Sequence, residues 1–243
     1  LAFPSANVSD RLEKTFTSVN FNMMIMVIYA LITIAIFGMW YYARYEGSFL
    51  PSPKKTFNPM MLAAIVILVP GTQFAANFIA NLTGYIRPDW LQQYNELFET
   101  SGITDTTFVT VLYSVILAPI CEELIFRGVT MRCARKALPF ALANLMQAAL
   151  FGLFHLNWIQ GIYAFALGIV LGYVCECGGS IYYSMWLHLL FNLWGTLSGF
   201  FPDPGNCVVI CVIVIAVTIV SLVVGFVLFN KGRRKLPINS TGI

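Results

Sequence analysis

Charge is scarce in this chain. Asp, Glu, Lys and Arg make up 10% of its 243 residues, against 58% hydrophobic residues. A soluble domain of this length would be hard to keep in solution with so little charge. Histidine is scarcer still, with two in the whole chain. Every aspartate (Asp10, Asp89, Asp105, Asp203) lies in a terminal tail or a polar loop. An intramembrane pair of catalytic aspartates is therefore excluded. No H-E-x-x-H occurs, so the zinc-protease helix is missing. No G-x-S-x-G occurs, so a nucleophile-elbow hydrolase has no support. The cysteines include no CxxC pair, and Cys175-Glu176-Cys177 has no second half of a zinc site after it. They read as small apolar residues. The net charge of +3 comes without a basic face interleaved with aromatics, which argues against nucleic-acid binding. No internal repeat marks a transporter of the inverted-repeat type.

What the chain does have is hydrophobic length. Spans of about 18–20 apolar residues cross a bilayer, and seven can be drawn: 21–43, 58–83, 106–130, 138–156, 161–177, 180–200 and 206–229. The second is interrupted by Pro70-Gly71. The segment 86–104 is polar and aromatic and reads as a short surface helix. The expected fold is an all-α, polytopic bundle of about seven transmembrane helices around a polar intramembrane cavity. Residues 1–20 form a polar N-terminal tail, 21–230 a membrane-embedded domain and 231–243 a basic tail. Arg44, Lys54, Lys55, Arg132, Arg135, Lys136 and the Lys231–Lys235 cluster follow alternate spans. The excess of positive charge sets their side as cytoplasmic. A multi-pass protein of the cell membrane is expected, with its N-terminus outside and its C-terminus in the cytoplasm.

Against this apolar background stands Cys121-Glu122-Glu123-Leu124-Ile125-Phe126-Arg127. Ionisable groups at membrane depth are expensive and mark a functional site by default. Glu123 and Arg127 are four apart and share a helical face, so they can pair. Glu122 is turned about 100° from Glu123 and has no local cation, which leaves it available as a general base. His155 ends Phe151-Gly152-Leu153-Phe154-His155, and His188 begins His188-Leu189-Leu190-Phe191-Asn192. A Glu, two His and an Asn suit water activation with donors for an oxyanion. Two His and a Glu could equally ligate a metal.

The order E-E-x-x-x-R, F-x-x-x-H, H-x-x-x-N on successive hydrophobic segments resembles the type II CAAX prenyl endopeptidase family, also called the ABI or CPBP intramembrane proteases. The three motifs span 122–192 and match without departure. The resemblance implies intramembrane hydrolysis of a peptide bond in a lipidated or hydrophobic peptide. It assigns water activation to Glu122 and His155 and oxyanion stabilisation to His188 and Asn192, with Glu123 and Arg127 in support. Members have also been called metalloproteases; zinc is possible here, and the metal-free version is favoured. The implied partners are a peptide or protein substrate, prenylated or hydrophobic, and membrane lipid. The alternative is a non-catalytic peptide-binding, immunity or scaffold protein of the same fold.

Depth poses one difficulty. At about 1.5 Å per residue, Glu122 and His188 come to similar depths. His155 lies about a further 13 Å along if its span begins at 138. Either 134–140 is interfacial and the span starts later, or that helix is steeply tilted. His155 is expected to share one cavity with Glu122.

Overall fold

A computed structural model describes residues 19–46, 57–101, 107–198 and 208–233. They form eight helices with no strand among them. α1 is Val19–Tyr41, α2 Pro59–Ile86 and α3 Pro88–Ser101. α4 runs continuously over Phe108–Ala134, and α5 is Phe140–Phe154. α6 is Trp158–Gly178, α7 Ile181–Ser198 and α8 Val208–Arg233. The polar tail and most of the basic tail lie outside the described residues.

All seven spans drawn from sequence are helical among the described residues, as expected of a polytopic bundle, but they differ in length and hydropathy. Five helices are long and apolar enough to cross a membrane: the one through Phe21–Arg44, then α2, α4, α6 and α8. α5 is apolar but has only 15 residues. α7 has 18, but Ser184, His188 and Asn192 keep it out of that set. The two helices that fall short are those carrying the histidine motifs. The same polar groups that make a site lower the hydropathy of the helix that holds it. Within the polar segment 86–104, Pro88–Ser101 form the helix α3. Its start is pinned by Arg87, which pairs with Asp89 at 2.6 Å and holds that carboxyl below the usual range.

α2 and α8 pack along their lengths, and small residues allow it. A Cβ at Gly225 would strike Leu68, and one at Gly232 would strike Met61. The contact also repairs a break. Pro70 has no N–H and disturbs the turn before it. Ser221 of α8 inserts its hydroxyl there: it accepts from the Gly71 amide (2.9 Å) and donates to the Ile67 carbonyl. Asn58 caps α2 by accepting from the Met60 amide. It also ties the helix start to α8 through Gly232 O and to α7 through the Tyr183 hydroxyl. α5 and α6 form an antiparallel hairpin whose helices approach closely at Gly152, Gly161 and Gly168.

The main core gathers Ile65, Leu68, Phe126, Phe151, Leu171 and Leu187, so α2, α4, α5, α6 and α7 meet in one place. A smaller one joins Tyr41, Leu124, Met131 and Ile181 at the ends of α1, α4 and α7. α1 and α8 leave most of their apolar surface uncovered, as lipid-facing helices do. α4 is not uniformly α-helical: 112–117 and 124–131 are π-helical, on either side of the glutamates. The first wide turn directly precedes Pro119, whose ring crowds the carbonyl one turn earlier. In the second, Thr130 Oγ1 donates to Ile125 O, five residues back. Wide turns of this kind occur often at functional sites.

Candidate active site

α4 presents its adjacent glutamates in opposite senses. Glu123 is fully buried, and its Oε1 accepts from Arg127 Nη1 at 2.9 Å. Arg127 is also fully buried, lies over the Phe151 ring at 4.5 Å, and donates to Gly168 O on α6. Gln147 donates to the same carbonyl and to Asn144 Oδ1, and Asn144 donates to Ile169 O. A polar knot thus binds α4, α5 and α6. The pairing of Glu123 with Arg127 follows the four-residue spacing. Its extension to α6 could not be read from spacing, because Gly168 O is a backbone acceptor on another helix.

Glu122, one residue earlier, keeps 16% of its side chain exposed to a cavity of about 830 Å³. His155, His188 and Asn192 line the same cavity. The four proposed groups therefore share one space, with His155 included. The turn at 135–139 and the start of α5 at Phe140 remove only about 3 Å of the depth difference. His155 caps the other end of that short helix.

The hydrogen bonds assign ring nitrogens. His155 Nδ1 lies 2.8 Å from Phe151 O. A carbonyl only accepts, so Nδ1 carries the proton, and the neutral ring has its lone pair at Nε2. Leu156, directly after it, has φ 53° and is 94% exposed. A left-handed leucine is uncommon outside strained turns near functional sites. Here it turns the chain sharply from α5 into the Asn157 cap of α6. His188 is held between both glutamates. Its Nδ1 lies 2.9 Å from Glu123 Oε1, and its Nε2 lies 3.6 Å from Glu122 Oε2. Phe151 packs edge-on against both His155 and His188. Asn192 uses one N–H on Ser114 O (2.8 Å), which leaves a second donor on the same nitrogen.

Sequence reading missed several cavity residues, among them Gln73, Asn77, Tyr94 and Tyr163. Gln73, Asn77 and Asn81 were visible as amides in the second span, but nothing in the spacing tied them to the motifs. Among the described residues, no three His, Cys, Asp or Glu side chains converge closely enough to hold a metal ion. Glu122 and His188 face one another as two donors without a third. The residues present do not make a three-ligand zinc set.

A family model described as "Type II CAAX prenyl endopeptidase Rce1-like" matches residues 104–194. Searches of curated proteins and of solved structures gave no significant match. The matched stretch runs from the start of α4 into α7 and contains all three motifs. The stretch that carries Glu122, His155, His188 and Asn192 on the cavity wall is similar to the CAAX-type membrane protease family.

Proposed function

We propose that the chain is an intramembrane endopeptidase in which Glu122 activates a water molecule beside His155. One observation carries this reading: Glu122, His155, His188 and Asn192, drawn from three helices, line a single cavity. Glu122 takes a proton from the water. His155 Nε2, with its lone pair free, accepts the water's second hydrogen and orients the oxygen. The new C–O bond forms at the peptide carbonyl, and its oxygen becomes an oxyanion. Asn192 donates its remaining N–H to that oxygen. His188 is held at Nδ1 by Glu123 Oε1, and its Nε2, 3.6 Å from Glu122 Oε2, donates to the oxyanion when it carries a proton. As the C–N bond breaks, Glu122 returns its proton to the departing amine, and atoms and charge balance.

Glu123 and Arg127 position this set. Glu123 holds His188 Nδ1, and Arg127 neutralises Glu123 without competing for Glu122. The substrate class is a lipidated or hydrophobic peptide, suited to a cavity whose walls combine Phe151, Leu167 and Phe191 with a few polar groups. We further propose the orientation given by the basic loops, with the C-terminus in the cytoplasm.

The test is cleavage of a farnesylated, apolar peptide by the full chain in lipid vesicles, compared with Glu122→Gln. Loss of cleavage with unchanged peptide binding is expected. Full cleavage by Glu122→Gln would overturn the assignment and favour a binding protein. Cleavage in a strong chelator is expected to persist.

A further inference from the structure

A polar residue that does not belong to the motifs is among those lining the same cavity. Four buried side-chain atoms among the described residues have no hydrogen-bond partner: Gln73 Oε1, Glu123 Oε2, Arg127 Nε and Gln147 Oε1. Of these four residues, only Gln73 lines the cavity. Its side chain is 6% exposed, so the amide is nearly removed from solvent while one end remains without a partner. Such a group destabilises the empty protein unless something answers it. Asn77 lies one turn further along α2 on the same face, and Gln73 Nε2 lies 3.5 Å from its Oδ1. That contact aligns two amides along one wall, and both residues line the cavity.

The position relative to the chemistry follows from α7. Gly195 lies opposite Gln73: a Cβ there would come 3.8 Å from Gln73 Nε2. Gly195 is three residues after Asn192, so the amide stands roughly 5 Å along α7 from the proposed oxyanion donor. An extended peptide advances about 3.3 Å per residue. Gln73 is therefore within one or two residues of the bond to be cut. A hydrophobic peptide leaving lipid or water for an apolar cavity must have its own N–H and C=O groups satisfied. An amide offers an acceptor and a donor side by side, which matches one peptide unit.

We propose that Gln73, with Asn77 behind it, is a positioning residue that binds a backbone amide of the substrate one or two residues from the scissile bond. This rests on the peptidase reading above, but its test uses binding, so the two can fail separately. The probe is a fluorescent, farnesylated apolar octapeptide, together with its single N-methylated variants. Binding is measured to the full chain carrying Glu122→Gln in lipid nanodiscs. Adding Gln73→Met is expected to weaken binding of the parent peptide roughly 5- to 10-fold. One N-methylated peptide should bind the Gln73-containing chain that much more weakly, and lose nothing further on Gln73→Met. Thermal unfolding of Gln73→Met should occur at the same or a higher temperature, because an unanswered buried acceptor has gone. A Gln73→Glu variant, which keeps an acceptor, should bind within about 2-fold of the parent and serves if Gln73→Met fails to fold. Unchanged affinity overturns the proposal. So does an equal loss for every N-methylated peptide, a lowered unfolding temperature with no change in binding, or no saturable binding at all. Cleavage that still depends on Glu122 in any of those cases leaves the peptidase reading standing.

Discussion

Two neighbouring polar regions are built from similar side chains and arranged to opposite ends. The knot around Arg127 and the cavity wall around Glu122 start from adjacent residues of α4. In the knot, Glu123, Arg127, Gln147 and Asn144 bond to one another and to the carbonyls of α6, Glu123 Oε2, Arg127 Nε and Gln147 Oε1 are left without a partner, and none of the four residues lines the cavity. On the wall, Glu122, His155 and Asn192 each keep a donor or acceptor beyond their protein contacts, and His188 lines the cavity between the two glutamates. Polar networks packed between helices hold them in one arrangement, whereas polar groups that line a cavity can meet what enters it. The two touch through His188 Nδ1 on Glu123. The rigid region thereby sets the angle of a ring in the reactive one.

That contrast can be broken from either side. The largest effect is expected at Glu122→Gln, which should lower the cleavage rate about 100- to 10,000-fold while leaving the unfolding temperature nearly unchanged. Arg127→Met acts on the other region. It leaves a buried carboxylate without its cation and should lower stability by about 3–5 kcal/mol, read as an earlier unfolding transition in detergent. Asn192→Ala removes one donor to the oxyanion and should lower the rate about 100- to 1000-fold, with peptide affinity little altered. Gly172→Ala is the mildest. A Cβ there meets Asn144 Oδ1 and Gln147 Nε2, so about 1–3 kcal/mol of stability should be lost with no change in the pH profile of cleavage. A rate loss in Gly172→Ala without any stability loss would blur the distinction between knot and wall.

Local features of α4 were readable from sequence because they depend on helical spacing alone. The Glu123–Arg127 pair at four residues is one, and the outward turn of Glu122 is another. The all-helical membrane class followed from apolar content. The spans drawn at α5 and α7 are helices, but α5 is short and α7 carries Ser184, His188 and Asn192, so neither has the length and hydropathy of the other five. The wide turns of α4 left little trace, apart from Pro119. The grip of Glu123 on His188 and the orphan acceptor of Gln73 are meetings between helices far apart in sequence. No periodicity within one segment can announce them. Ser221 shows the same limit, since a lone serine in α8 gives no sign that it completes a broken turn of α2.

The brevity of α5 carries a consequence for the lipid around it. A helix of 15 residues rises about 22 Å, against a hydrocarbon layer of about 30 Å. A short apolar helix draws the headgroup boundary inward beside it or thins the bilayer locally. His155 and the fully outward Leu156 stand at that end. Such thinning would bring the interfacial water layer closer to the histidine proposed to orient the attacking water. Hydrolysis inside a membrane needs a supply of water, and a thinned bilayer beside one undersized helix would shorten its path.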